Sequence, residues 1–541
     1  MTERNTQVRA FTLKAMVVQL LVCGSLFLNG CGGGSDRPIE IDPEEMIPEP
    51  IMVIVATPEG LSVDRGSNVV LSFNVAVDPN SVANAVDFVD AMGNSVVLAE
   101  TIVADATITL VPAIKLFQSS SYTVSVSDEI RSLEGGVAEQ EFSVEFTTAV
   151  STWQPPTAYE QNAGTTRTSI NERGDAITVT GRRDPVTTQW DILAYRRTSG
   201  EWSSGEIISE LTNNGVPQVA MNNNGDAVAI WPRHSDDEIA VAEHTDGQWV
   251  APWTINSPET RNMALAMRDD GYVIIVWSDG DDIRTAERRD GEWTASLLAS
   301  NRDLEFPTID LNAKGEGIIT WRDELVTNRT YVIKASMLRD GVWESPVSVS
   351  HERAVERFHD VALDDDGNIV VVWESDIDPV AVAYRNAYRD GRWRGVERIA
   401  PDILFSRRPV VAMAENGEAV IVWNQFENYG FPTNVAYSQY RDGVWQPAVI
   451  LGEGYSPMVA MNAKGDTTVV WERYTFPDPN RRLMMAQSID GVWASETVFS
   501  ISDNTLNVLL YSLKSTRNGD MLLTWRQTDA GVWFQYRSGF E

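Results

Sequence analysis

Cysteine is nearly missing: Cys23 and Cys31 are the only two in 541 residues. Everything after residue 31 therefore lacks disulfides, a thiol nucleophile and any cysteine-based metal site. Histidine is almost as scarce. His234, His244, His351 and His359 form no HExxH pattern and no zinc-type cluster. Basic charge is short as well, with 43 Lys+Arg against 77 Asp+Glu and a net charge of −34. Binding a phosphate backbone needs a basic face, so nucleic acid is excluded as a partner. Electrostatic docking on an anionic bilayer is excluded by the same sign. Six of the basic residues are Lys and the rest are Arg, which suits forked pairing with carboxylates and stacking on rings. No apolar run reaches the roughly 18 residues of a mature membrane helix. G-x-S-x-G, Walker and dinucleotide fingerprints are absent too.

What is present begins with an address. Arg4, Arg9 and Lys14 precede the apolar run Ala15 to Leu28, the layout of a secretory signal. The run ends in Leu28-Asn29-Gly30-Cys31, which resembles the lipobox of bacterial lipoproteins. That resemblance implies removal of residues 1–30 and a diacylglycerol on Cys31. Gly32 in place of Asp implies sorting to the outer membrane, facing periplasm or cell exterior. An acyl anchor holds a soluble domain at a bilayer without inserting it. Residues 31–50, rich in Gly, Pro and acid, read as a flexible tether.

Residues 51–149 carry short alternating apolar runs between turn residues, such as Val69-Val70-Leu71-Ser72-Phe73 and Tyr122-Thr123-Val124-Ser125-Val126. Strands at this spacing predict a β-sandwich without helices of useful length. Thr57-Pro58-Glu59-Gly60, Val77-Asp78-Pro79, Leu116 and Phe146-Thr147-Thr148 give the stretch a resemblance to bacterial Ig-like domains of the S-layer type. The resemblance implies a spacer or an adhesive module.

Residues 150–541 are a repeat array. A Gly is followed six residues later by Trp at Trp231, Trp277, Trp321, Trp373, Trp423, Trp471 and Trp525; the first copy, Gly174 to Thr180, has lost its Trp. A second register places Trp153, Trp202, Trp249, Trp293, Trp343, Trp393, Trp445 and Trp493 at intervals of 44 to 52 residues. Most tryptophans are thus packing residues. Six turns are Asp-Gly (Asp246, Asp290, Asp340, Asp390, Asp442, Asp490) and a seventh is Ser199-Gly200. Such pairs supply two positive φ angles for type I′ hairpins. Four strands, a to d, at about 49 residues per unit predict a β-propeller blade. The array starts with a spare strand d at Trp153 and ends near Tyr536 without one. The expected fold is therefore all-β: an Ig-like β-sandwich, then an eight-bladed β-propeller closed by an N-terminal outer strand.

In such a ring the a–b and c–d turns share one face, while long variable b–c and d–a loops share the other. Recognition belongs on the variable face. The b–c loops open with Arg233, Asp279, Asp323, Glu374, Gln425, Glu472 and Arg526, and two are aromatic through Phe426, Tyr429 and Tyr474. Aromatics beside carboxylates and Arg suit a sugar or a protein segment. These ten residues are the expected ligand contacts. No catalytic or metal residue is assigned. Asp279-Gly280-Asp281-Asp282 and Asp364-Asp365-Asp366 make calcium the one candidate ion, although they lack the spaced Ca²⁺ loop. The expectation is a monomeric, lipid-anchored, non-enzymatic surface or envelope protein that binds a glycan or protein. The alternatives are a sialidase-like glycoside hydrolase and a periplasmic scaffold for outer-membrane assembly. In sialidase repeats Trp lies three residues after Gly; here the interval is six.

Overall fold

The computed structural model describes residues 48–541, apart from 161–162, 185, 210–213, 234–235, 326–329, 353–354, 377–380, 401–404, 427–432, 475–480, 495–496, 499–507, 528–530 and 539–541. The lipobox, including Cys31, and the tether as far as residue 47 lie outside these residues, as does Tyr429.

The first unit is a sandwich of two four-stranded sheets. One holds Val53–Thr57, Val69–Phe73, Thr107–Pro112 and Leu98–Ala104, and the other holds Gly60–Val63, Phe142–Thr148, Ser121–Val126 and Val86–Asp90. Alternation puts Val69, Leu71 and Phe73 inside, and Phe88, Tyr122 and Phe146 close the core with ring centroids 5.7 to 6.1 Å apart. One helix, Pro79–Ala85, departs from the all-strand expectation. At seven residues it is too short to show periodicity, and it starts where Asp78 accepts the Asn80 amide with Pro at the first turn.

From residue 152 onward the described strands form eight antiparallel sheets in a propeller-like arrangement. The innermost strands are Ala163–Ile170, Gln218–Met221, Thr260–Met267, Glu305–Leu311, Glu356–Leu363, Phe405–Met413, Tyr455–Met461 and Val508–Ser515. Each touches the next, and the eighth touches the first. All seven c–d turns have positive φ at both central residues, from Ser199 (50°) and Gly200 (88°) to Asp490 (49°) and Gly491 (79°). That is the type I′ geometry the Asp-Gly pairs specify. Thr152–Trp153 and Thr157–Glu160 pair with Gly531–Ser538, placing Trp153 opposite Arg537.

Successive sheets are joined by the seven strand-b tryptophans, each no more than 2% exposed. Trp373 packs among Ile318, Ile333 and Ala335 of the preceding sheet, and Trp277 among Val228, Ile230 and Val241. The first sheet, with Thr180 in place of Trp, meets the eighth differently: Tyr195 and Leu193 pack with Leu522, and Tyr159 lies 5.4 Å from Tyr195 and 5.5 Å from Trp202.

The Ig-like unit is bolted to the turn face of this array by a fully buried ion pair. Arg65 donates to Asp520 Oδ1 (2.5 Å), Ser151 Oγ (2.6 Å), and the carbonyls of Asn518 (2.6 Å) and Leu116 (2.7 Å). These oxygens come from three segments, around Leu116, Ser151 and the Asn518–Asp520 turn, so one side chain ties its own segment to three others. Removing one partner of such a pair leaves an uncompensated buried charge and costs about 3–5 kcal/mol. Arg65→Ala should therefore split calorimetric unfolding into an early sandwich transition and a later propeller transition. A single transition at unchanged Tm would show that the contact couples nothing.

Candidate functional site

A cavity of about 870 Å³ opens where the inner strands of the first five sheets begin, on the side of the b–c and d–a loops. Its wall comes chiefly from residues at the entrance of strand a. Strands enter irregularly there: the pairing register slips between Glu305 and Thr308, Arg357 and Asp360, Arg407 and Val410, and Tyr455 and Met458. These are β-bulges, which re-aim side chains. At the same bulge position φ is positive for Phe306 (54°), Phe358 (37°), Arg408 (49°) and Ser456 (53°). Left-handed backbone at bulky residues costs on the order of 1–3 kcal/mol and concentrates at functional sites. Proline follows three of the four, at Pro307, Pro409 and Pro457, which fits a position whose N–H has no ladder partner.

Arg322 organises one side of the cavity. It is ion-paired to Glu305, and its guanidinium lies 4.2 Å over the Tyr331 ring and 4.9 Å over Phe306. Tyr331 donates its hydroxyl to Asp303 (3.2 Å), and burial holds its pKa above the ordinary phenol value. On the adjoining strand Arg357 pairs with Asp376 (2.9 Å), and Arg408 stands 5.0 Å over Phe358. Arg167 completes the cationic lining from the first sheet. No Asp or Glu is among the lining residues.

His359 sits beside Phe358 on the cavity wall. Burial lowers its pKa to about 4, with nearby Arg322 pushing the same way against a hydrogen bond to the Thr320 carbonyl. Its Nε2 is buried with no hydrogen-bond partner.

Of the ten residues singled out by sequence, none of the nine that are described lines this cavity. Arg233 ends strand b in ion pairs with Asp236 (2.7 Å) and Glu238 (3.2 Å), and Asp279 pairs with Arg284 (3.0 Å). Asp323 is buried and accepts from Asn301 (2.5 Å), and buried Glu374 accepts the Arg408 amide (3.2 Å); burial raises both pKa values. Gln425 and Glu472 are buried, Phe426 and Arg526 half-buried, and Tyr474 closes the strand Thr467–Tyr474. The acidic runs serve turns: Asp364 Oδ1 accepts the amides of Asp366 (3.0 Å) and Asn368 (2.8 Å). Among the described residues no three His, Cys, Asp or Glu side chains cluster closely enough to hold a metal ion. Sequence reasoning passed over Arg167, Phe306, Arg322, Tyr331, Arg357, Phe358 and His359. The signal that could have found several of them is the proline recurring at the start of strand a.

Residues 48–148 match the family described as bacterial Ig-like domain, which covers the sandwich and not the repeat array. No curated protein matches the chain. Three solved structures are similar in part. The Dos1 propeller is 9% identical, with a TM-score of 0.47 over 72% of this chain and 96% of its own. An ulvan lyase of a new polysaccharide lyase family is 13% identical, with a TM-score of 0.41 over 58% of this chain and 90% of its own. The α-L-arabinofuranosidase Arb93A from Fusarium graminearum is 13% identical, with a TM-score of 0.33 over 52% of this chain and 93% of its own. These likenesses accord with a propeller-like array. Two of the three structures are carbohydrate-cleaving enzymes, which runs against the expectation of a non-enzymatic protein.

Proposed function

We propose that the protein is a carbohydrate-active enzyme that holds an acidic polysaccharide in the loop-face cavity and cleaves it by β-elimination. The observation that carries this reading is the lining itself: three arginines, a histidine and a tyrosine without one carboxylate, in a chain of net charge −34. Glycoside hydrolysis works through paired carboxylates, and the loop-face acids Asp323, Glu374 and Glu472 are buried outside the cavity. Elimination asks for different groups: a cation on the substrate carboxylate, a base at the adjacent carbon and an acid at the leaving oxygen. Arg322 and Arg357 take the carboxylate, for which a guanidinium fork is suited. His359 removes the proton next to that carboxylate. The released electron pair forms the new carbon–carbon double bond as the glycosidic C–O bond breaks, and the departing oxygen takes the Tyr331 proton.

In this reading the eight sheets are eight blades, closed by the pairing of Trp153 with the last sheet and by the contact of first and last inner strands. The Ig-like unit carries the ring on a stalk. Cys31 bears the lipid, and the enzyme works as a monomer at the outer membrane.

Incubation with uronate-containing polysaccharides should yield products with the ultraviolet absorbance of an unsaturated uronate. Reducing ends without that absorbance would mean hydrolysis and overturn the mechanism. Loss of a general base or acid costs about 10²–10⁴ in rate, so His359→Gln and Tyr331→Phe should each fall by at least about a hundredfold. The base must be unprotonated, so wild-type activity should rise as pH increases through about 4, the His359 value, and that limb should vanish in His359→Gln. Anchoring is checked separately. Labelled palmitate should enter the full chain, and Cys31→Ser should abolish incorporation and release the protein from membranes; labelling retained in Cys31→Ser would refute the anchor.

A further inference from the structure

We propose that Phe306 and Phe358 form a stacking platform for two successive sugar rings. The proposal rests on the reading of the cavity as a glycan site and adds which residues select the ligand. Among the described residues these are the only two phenylalanines that stand largely exposed, at 47% and 55%. Both line the cavity. They occupy the same bulge position on neighbouring inner strands, in the fourth and fifth sheets.

Three features set them apart from stray surface apolar residues. Each has a left-handed backbone, a conformation that glycine adopts freely and a phenylalanine adopts under strain. Nothing in strand pairing asks for an aromatic there, since Arg408 and Ser456 hold the equivalent place in the next two sheets. Each ring also has a guanidinium over it, Arg322 at 4.9 Å and Arg408 at 5.0 Å. Those cations fix the ring plane from one side. The exposed remainder is a flat apolar surface beside positive charge, which matches a pyranose whose C–H face stacks while its carboxylate reaches a guanidinium. Read around the rim, the four bulges present Phe, Phe, Arg and Ser. The ligand is therefore a run of at least two hexuronate units, stacked at sheets four and five and held by charge toward sheet six.

The strain supplies a clean test. Phe306→Gly and Phe358→Gly remove the ring and suit the backbone, so a packing role predicts a lower Tm and a platform role does not. Calorimetric titration of the full chain would use oligogalacturonate, oligomannuronate and a heparin oligosaccharide, with a cello-oligosaccharide as the neutral control. Each glycine variant should weaken binding of the preferred acidic oligosaccharide about tenfold with Tm unchanged or raised, and Phe306→Trp should keep the wild-type affinity. Unchanged affinity in both glycine variants overturns the platform, as does a fall in Tm that accounts for the loss. Ring-dependent binding with no unsaturated product leaves the platform standing and removes the elimination mechanism. Cleavage that proceeds undiminished in the glycine variants removes the platform alone. Binding of none of the four probes removes both.

Discussion

The rest of the structure depends on one packing constraint: a four-stranded sheet of this array cannot bury its own faces. Strand b runs through the middle of each sheet, and its tryptophan fills the space against the sheet before it. Truncating a buried residue of this size costs about 3–5 kcal/mol, and the position recurs seven times. Alternation along the strand turns the following residue to the opposite face. That is how Arg322, one place after Trp321, comes to line the cavity while Asp323 is buried against Asn301. The seam between the eighth and first sheets lacks the strand-b tryptophan, and Tyr159, Tyr195 and Trp202 pack there instead, with Tyr159 5.4 Å and 5.5 Å from the other two rings.

Packing of this kind makes strain affordable at the rim. The inner strands are linked to one another by side chains that accept a neighbour's amide: Asp310 from Leu363 (2.9 Å), Asp360 from Val411 (3.0 Å), Ser169 from Met221 (3.1 Å). Thr168 and Ser512 bond across the first and eighth strands at 3.0 Å. With the fifth inner strand held on both sides, its entrance can keep left-handed Phe358, which an isolated strand would relax away. The cavity wall is built from such entrances.

Much of the architecture was legible because its signals are local and repeated. Asp-Gly pairs dictate positive φ twice over, and all seven turns obey. The Gly-to-Trp interval marks strand b in seven sheets, and Trp153 marks the strand that pairs with Arg537. The sandwich was legible for the same reason, with Phe73, Tyr122 and Phe146 where alternation puts them. The cavity was not. Its residues sit at bulges, where the two-residue period breaks, so Phe306 and Phe358 look like loop residues. His359 and Arg357 carry no motif and gain meaning only from the neighbouring strand. Attention to the residues after each tryptophan settled on Asp323 and passed over Arg322, one position before it. The buried Arg65 had no signal either, since its partner Asp520 lies 455 residues further along the chain.

Charge along the axis then gives the array a direction. Arginines gather at the loop-face mouth, whereas Asp310 and Asp360 follow deeper on the same inner strands. At the far end Glu415, Asp365 and Glu172 close around Arg517, whose guanidinium pairs with the first two and whose amide bonds Glu172 at 2.8 Å. Burial pushes Asp310 and Glu172 up to about 7, so they hold part of their charge near neutrality and lose it as pH falls. An anionic chain is thus drawn to one mouth and opposed further in. The far mouth is also the side on which the sandwich sits, through Arg65, the Gln118 to Asp466 bond (3.2 Å) and the Lys464 to Ser120 bond (2.9 Å). On the proposed reading, the polymer approaches and leaves by the loop face. The rigid attachment of the sandwich to the opposite face keeps that approach clear, which a loosely strung domain would not do.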